Sequence, residues 1–228
     1  MRILDIGGGT GAYSFLLANL GHKVSFVDPS EAQVASVRAK NKQSESKLIS
    51  TKEGFAHSID APEDSFDIVL NMGPMYHLPP GEERIRALQE MRRLLSDEGL
   101  LFSAYISRLA ALMDGYKKCW IANPEYEMLS LGDLKHGIHD GPDDDKYFTL
   151  AYMHRPAEVA SELASGGFEM VDLLAVEGFF WTYPHLEDFV DDEEAFIRLL
   201  FHAQLIEKES SLMGASAHFL SVARKNLN

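Results

Sequence analysis

The chain has 228 residues, of which 46% are hydrophobic and 25% are charged, and this balance excludes a wholly disordered or low-complexity protein. Its 21 basic and 35 acidic side chains give a net charge of −14, which argues against a nucleic-acid partner because phosphate-binding surfaces are basic. Cys119 is the only cysteine, so an internal disulfide is excluded, and no apolar stretch reaches the roughly 18 residues that span a bilayer. We expect a cytoplasmic protein that has neither a membrane nor a nucleic acid as its partner.

Strand-like and helix-like segments alternate through the first hundred residues, and this alternation predicts a parallel sheet covered by helices on both faces. Ser30 is a predicted helix cap because Gln33 follows it at the spacing of a capping box. The predicted strands cover residues 2–6, 23–27, 48–50, 66–70 and 99–106, and the predicted helices cover residues 12–20, 30–40 and 82–95.

The regular alternation stops at residue 106. Residues 107–150 combine glycines, aspartates and aromatic residues without a long period, which predicts an insertion of short helices and loops. Beyond the insertion we predict helices over residues 156–166 and 189–206, a strand over residues 168–176, and a last strand over residues 217–223. We expect this last strand to be an antiparallel edge strand.

The expected architecture is a single doubly wound α/β domain, residues 1–228, around a mostly parallel sheet of about seven strands. Residues 1–106 form its cofactor-binding half, residues 107–154 an insertion that acts as a lid, and residues 155–228 the rest of the sheet with a helical insertion. The acidic charge lies mainly in the second half, in runs such as Asp143–Asp145, and is typical of a solvated surface.

A glycine-rich segment, Leu4–Gly11, stands where the first predicted strand gives way to the first helix. Glycines at this point allow a tight turn and let a ligand approach the backbone N–H groups of the helix start. The segment also fits the G-x-G-x-x-G/A pattern of dinucleotide-binding proteins. Asp5 argues against a diphosphate and suits an ammonium group, whereas Asp28, at the end of the second strand, serves the ribose of either ligand.

Four segments in this order and spacing resemble the class I S-adenosylmethionine-dependent methyltransferases: Leu4–Gly11, Val27–Ser30, Asp64–Asn71 and Arg93–Leu101. Gly73–Leu78 also resembles a sequence that follows strand four in a bacterial small-molecule branch of that superfamily, the type 11 and type 25 methyltransferases. The resemblance implies transfer of a methyl group from S-adenosylmethionine to a small-molecule acceptor, with S-adenosylhomocysteine as the product. We expect no metal site, because no regular helix or complete ligand set accompanies His136 and His139, and we expect a monomer or a homodimer.

The resemblance further implies which residues bind the cofactor. The glycine backbone would contact the amino-acid end with Asp5 beside the ammonium, Asp28 would bind the ribose, Ala56 would lie beside the adenine, and Asn71 with Met72 would lie near the sulfonium. The complete expected set is Asp5, Gly7, Gly8, Gly9, Gly11, Asp28, Pro29, Phe55, Ala56, Asn71 and Met72.

Three features depart from the family pattern. Phe55 stands where many relatives have an acid, which predicts apolar contact with the adenine. Asp97–Gly99 replaces the usual Pro-Gly before strand five, and Gly99 still allows the turn. The first strand begins at residue 2, whereas relatives usually have one or more helices before it.

Two histidines are candidate catalytic residues, because removal of an acceptor proton needs a base with a pKa near neutrality. His77 follows strand four, and a structural role in fixing the Gly73-Pro74 turn is an equal alternative. His154 precedes the helix that begins at Pro156, and helix capping or packing explains it nearly as well. The aromatic run Gly178–Tyr183 follows the sixth strand and favours an apolar or aromatic acceptor pocket.

Two other functions remain open at this point. The glycine pattern alone allows an NAD(P)-dependent oxidoreductase, and a fold of this kind also serves proteins that bind S-adenosylmethionine without catalysis. Stabilisation by S-adenosylhomocysteine but not by NADH excludes the first, and turnover of an acceptor excludes the second.

Overall fold

The computed structural model describes residues 1–141 and 147–227, so the acidic run Asp143–Asp145 lies outside the described residues. The chain divides into two compact units. Unit 1 consists of Met1–Ala104, Ala160–Asp172 and the chain from Ser221 onward, and unit 2 consists of Tyr105–Val159 and Leu173–Leu220. The expectation of a single domain stays a prediction.

The strands form one large sheet and one small one. They are β1 (Arg2–Ile6), β2 (Lys23–Asp28), β3 (Ser50–Glu53), β4 (Phe66–Asn71), β5 (Leu95–Ile106), β6 (Ile138–His139), β7 (Ala151–Tyr152), β8 (Phe168–Ala175) and β9 (His218–Lys225). The large sheet has seven strands in the order β3-β2-β1-β4-β5-β9-β8, and β6 pairs with β7 in the small antiparallel sheet. The prediction of a mostly parallel, seven-stranded, doubly wound sheet is confirmed.

Helices lie in the connections between the strands. They are α1 (Ala12–Asn19), α2 (Glu31–Gln43), α3 (Pro74–His77), α4 (Gly81–Leu94), α5 (Ala110–Lys117), α6 (Pro124–His136), α7 (Pro156–Ser165), α8 (Leu186–Val190) and α9 (Glu193–Ile206). Ser30 caps α2 as predicted and accepts a hydrogen bond from the Gln33 N–H at 3.4 Å. Within the described part of the chain, every helix is too short or too polar to cross a membrane.

The centre of the large sheet brings three strand ends side by side. Strand β1 pairs in parallel with β2 on one side and with β4 on the other, so Ile6 is in register with both Val27 and Asn71. Strand β3 continues the sheet and places Glu53 beside Asp28. Because all four strands run in the same direction, their carboxyl ends meet at one edge, where open α/β sheets bind ligands.

The position predicted for the last strand is wrong. Strand β9 lies between β5 and β8, and β8 takes the edge. Its direction is antiparallel to β5, because Ser107 N donates to Ala217 O (2.8 Å) while Ser221 Oγ donates to Ser103 O (3.4 Å). The alternation of buried and less buried residues in β9 reports which face is covered. This burial pattern does not show whether both edges of the strand are hydrogen-bonded, so it does not distinguish an edge strand from an inner one.

Other predicted boundaries also differ from the structure. Strand five was expected to begin at Gly99 after a turn, whereas Asp97–Gly99 lie inside β5, which begins at Leu95 and pairs there with Phe66. The third strand covers Ser50–Glu53 because its ladder begins at the pair Ser25 and Ser50, while Leu48 is buried in the core cluster outside the strand. The helix predicted over residues 189–206 is divided into α8 and α9, because the Asp192 carboxylate caps the second helix and accepts from Ala195 N at 2.8 Å.

The predicted insertion contains two helices, α5 and α6, and the small β6–β7 sheet. Buried Arg108 stabilises this part of unit 2, donating hydrogen bonds to the Glu158 carboxylate (2.8 Å), to the Tyr152 hydroxyl (3.0 Å) and to Met153 O (3.1 Å). The β6–β7 pairing was not expected, because each strand has only two residues. The action of residues 107–154 as a lid stays a prediction.

Candidate cofactor site and active site

The glycine loop after β1 has two kinds of glycine. Gly7, Gly9 and Gly11 have φ angles of +64°, +54° and +76°, a region that favours glycine. A Cβ at Gly8 would come within 2.6 Å of the Phe26 ring, whereas a Cβ at Gly9 would meet nothing within 4 Å. Gly8 is therefore required by packing, and Gly9 faces open space that a ligand can enter.

The Asp28 carboxylate ties the end of β2 to this loop. One oxygen accepts from Gly9 N at 2.9 Å and the other accepts from Ser30 N at 2.8 Å. The side chain is buried, so the two bonds fix its orientation. An ionised carboxylate has about four lone-pair positions, and these two bonds leave positions for hydroxyl donors such as those of a ribose.

Asp5 is completely buried in β1. One of its oxygens accepts a 2.6 Å hydrogen bond from Ser14 Oγ of α1, and its Oδ1 has no hydrogen-bond partner among the described residues. The pKa of Asp5 is raised to about 6, chiefly by burial and to a smaller extent by the charge of Asp28, while the hydrogen bond from Ser14 opposes this shift. A buried carboxylate with one unpartnered oxygen is suited to receive a cationic donor.

The segment after β3 reaches the same edge of the sheet. Gly54 N donates to Asp28 O at 3.1 Å, and Ala56 behind it is buried. Phe55 has an exposed fraction of 56%, and its ring stacks on that of His57 at a centroid distance of 5.8 Å. Pro29, beside Asp28, is exposed. Phe55 is thus the ring available for apolar contact at this end of the site.

At the end of β4, Asn71 is completely buried and its Nδ2 donates to Ser103 Oγ of β5 at 3.0 Å. The Asn71 Oδ1 has no partner within the described part of the chain. Met72 packs against the apolar core cluster of β1, β2 and α2. Sequence reasoning missed Ser103 and Ser14, because a serine that orients another side chain has no signal of its own in a single sequence.

His77 lies at the end of the short helix α3, which begins at Pro74 directly after Gly73. The ring of Pro74 fits against Gly7, where an added Cβ would lie only 2.8 Å from the Pro74 Cδ. The rings of Tyr76 and His77 are 4.7 Å apart, and Tyr76 donates from its hydroxyl to Met72 O at 2.9 Å. Burial lowers the pKa of His77, which favours the neutral imidazole that a base requires.

His154 belongs to unit 2 and is completely buried. Its ring makes edge contacts with Tyr105 at 4.7 Å and with Tyr152 at 4.6 Å, measured between ring centroids. Its backbone donates to Ile106 O and accepts from Arg108 N, both at 2.8 Å. These contacts describe a packed histidine, and its catalytic role stays a prediction.

Comparison with known proteins identifies the family. Residues 3–99 match the model of the methyltransferase domain. The chain is 31% identical over 173 residues to a ubiquinone biosynthesis O-methyltransferase of Maricaulis maris, a match that covers 75% of this chain and 59% of that protein. It is 30% identical over 188 residues to a ubiquinone biosynthesis O-methyltransferase of Brucella anthropi, covering 82% of this chain and 66% of that protein. The matched part is less than two thirds of the length of either relative.

The fold is shared with a solved structure. A crystal structure of a SAM-dependent methyltransferase from Methanosarcina mazei superposes with a TM-score of 0.68 over 100% of this chain and 93% of that chain, at 18% sequence identity. The chain belongs to the class I S-adenosylmethionine-dependent methyltransferases, as the four sequence segments predicted.

Proposed function

We propose that this chain transfers the methyl group of S-adenosylmethionine to a small-molecule acceptor. The observation that carries the proposal is the 2.9 Å hydrogen bond from Gly9 N to Asp28, which joins an open glycine loop to a carboxylate that has acceptor positions to spare. A loop and a carboxylate in this arrangement suit a nucleoside whose remaining part lies along the loop.

The residues present fit S-adenosylmethionine. Asp28 would accept hydrogen bonds from the ribose hydroxyls, and Asp5, with its unpartnered buried oxygen, would stabilise the ammonium group. Phe55 and Ala56 would contact the adenine, while Pro29, Asn71 and Met72 would complete the site. The bound cofactor supplies an electrophilic methyl group on a sulfonium, so the protein's task is to align the acceptor and exclude water.

His77 is the residue that we propose for acceptor deprotonation. It lies beside the glycine loop through the contact of Pro74 with Gly7, and burial lowers its pKa. A neutral imidazole can take the proton of a hydroxyl or ammonium acceptor as the methyl group arrives. We retain His154 as the second candidate, with a weaker case because its ring is enclosed by two tyrosines.

Asp5 argues against an NAD(P)-dependent oxidoreductase. Its carboxylate lies in β1 directly before the glycine loop, where its negative charge would repel a diphosphate. Binding of S-adenosylmethionine without catalysis is the remaining alternative, and only turnover separates it from a transferase.

The direct experiment is a transfer assay with methyl-labelled S-adenosylmethionine and a panel of small acceptors. Acceptors with a hydroxyl group come first, because the two relatives above are named as O-methyltransferases of ubiquinone biosynthesis. We expect label in an acceptor and an equal amount of S-adenosylhomocysteine. Tight cofactor binding with no transfer to any class of acceptor would favour the non-catalytic alternative. The cytoplasmic location and the monomeric or homodimeric state stay predictions.

A further inference from the structure

A cavity of about 370 Å³ lies in the chain between β8 and β9, entirely within unit 2. Four aromatic residues line it: Phe179, Phe180, Tyr183 and Phe189. Binding sites for small molecules usually measure about 300–1,000 Å³ and are mostly apolar with a few polar groups. This cavity is therefore large enough for one or two fused rings with short substituents.

The four rings are arranged in two pairs. Phe179 and Phe180 are tilted by 32° with centroids 4.5 Å apart, and Tyr183 meets Phe189 edge to face at 85° with centroids 5.7 Å apart. Both arrangements are ones that aromatic pairs prefer, and a planar guest ring can extend either pair. The wall thus favours an aromatic guest over a branched aliphatic one.

Hydrogen bonds from elsewhere in unit 2 hold this wall in place. Trp181 donates from its indole nitrogen to Ala215 O at 2.8 Å, and Thr182 Oγ1 donates to Phe179 O at 2.7 Å. Lys117 of α5 donates to Trp181 O at 2.5 Å. The turn that carries the rings is therefore fixed before a ligand arrives, which lowers the entropy cost of binding.

Two polar side chains, Arg198 and His202, stand one helical turn apart on α9 and also line the cavity. The guanidinium is only a donor, and it is always charged. Its 3.4 Å ion pair with Glu194 is exposed on both sides, and such pairs contribute little in water. These groups suit a guest that presents an oxygen acceptor rather than an ammonium.

We propose that this cavity binds an aromatic molecule with an oxygen substituent, a phenol or an aromatic carboxylate. The two ring pairs would contact the aromatic part, and Arg198 with His202 would bind the oxygen.

The binding test compares two probes of nearly equal size, 2-naphthoate and 2-naphthylmethylamine, by calorimetry with the full chain. We expect 2-naphthoate to bind at least about tenfold more tightly, and Arg198→Gln to reduce this preference to about one. Ala195→Phe, which fills the cavity, should lower the affinity for 2-naphthoate at least about tenfold. The matched controls are Arg224→Gln and Ala164→Phe, both at exposed positions of unit 1, and they leave the affinities unchanged. Equal affinity of the two probes for the unmodified protein, or an Ala195→Phe variant that binds 2-naphthoate normally, overturns the proposal.

Discussion

Two turns of this protein are both built on glycines, but they present different chemical groups to a ligand. Both follow a strand of the large sheet and use glycines in the left-handed region, Gly7 and Gly9 after β1 and Gly178, with φ +59°, after β8. The first turn donates the backbone N–H of Gly9 to the buried Asp28 carboxylate, whereas the second turn presents a run of aromatic rings, Phe179–Tyr183. A glycine turn thus determines where the chain can approach a ligand, and the residues beside it determine which part of a ligand can bind there.

The largest expected effect concerns the chemistry that we propose for the first turn. His77→Ala should lower kcat at least about 10²-fold, the lower end of the usual contribution of a general base. Because burial lowers its pKa, His77 loses its function only below its ordinary titration range, and the acidic limb of the pH–rate profile should disappear in the variant. Steady-state kinetics across pH measure both effects.

His22→Ala is the matched control, and the affinity for S-adenosylhomocysteine should remain the same in both variants. A His77→Ala enzyme that keeps kcat within a few-fold, or a His77→Gln enzyme that no longer folds, would assign His77 to the structural role.

Asp28→Ala should come next in size. It removes the acceptor of two backbone N–H groups and of the ribose hydroxyls, and a hydrogen bond to a charged group contributes about 1.5–3 kcal/mol. We expect the affinity for S-adenosylhomocysteine to fall by about 10- to 150-fold in calorimetry. Asp60→Ala, which changes a carboxylate with a side-chain exposure of 97%, should leave the affinity unchanged. Equal affinities of the two variants would remove Asp28 from the ribose site.

The two kinds of glycine in the loop give a sharper test. Gly8→Ala should destabilise the protein by about 1–3 kcal/mol, because its Cβ has no room beside Phe26. Gly9→Ala should lower the stability only by the strain of its positive φ, about 1 kcal/mol. Its Cβ should instead weaken cofactor binding, because it occupies the open space beside the loop. Denaturant unfolding should therefore show the larger loss of stability in Gly8→Ala, and calorimetry should show the larger loss of cofactor affinity in Gly9→Ala. The same ranking in both measurements would contradict the assignment.

The smallest effect is the dependence of cofactor binding on pH. The pKa of Asp5 is raised to about 6, and only its ionised form attracts an ammonium group, so binding should release about half a proton at pH 6. The affinity for S-adenosylhomocysteine should accordingly fall about tenfold between pH 7 and pH 5. Calorimetry in two buffers of different ionisation enthalpy counts the protons. Asp5→Asn should abolish the release, and an unchanged release in that variant would assign the proton to another group.

The part of the cofactor site that could be predicted from the sequence is local in the chain. The glycine loop, Asp5 and Asp28 lie within or directly beside short strands, where local pattern and turn residues determine the structure. Their hydrogen-bond partners Ser14 and Ser103 were missed, because they come from neighbouring elements of the fold. The position of β9 was missed for the same reason, since strand order depends on contacts between distant segments.

The aromatic cavity could be predicted only in part. The run Gly178–Tyr183 indicated an apolar pocket, but the opposite wall depends on the break between α8 and α9 at Asp192. We expected one continuous helix over residues 189–206. In such a helix, Arg198 and His202 would have a different position relative to the aromatic rings of the cavity. A capping carboxylate inside an apolar period is a weak signal, because the same residue is also tolerated on a helix surface.

We expect the carboxyl ends of β1, β2 and β4 to bind the cofactor of a methyltransferase. Calorimetric titration of the unmodified chain with S-adenosylhomocysteine, with NADH as the comparison, tests it most directly. We predict saturable 1:1 binding of S-adenosylhomocysteine in the micromolar range, at a free energy of about −8 kcal/mol, and no heat of binding with NADH. Binding of NADH in preference to S-adenosylhomocysteine would contradict the account.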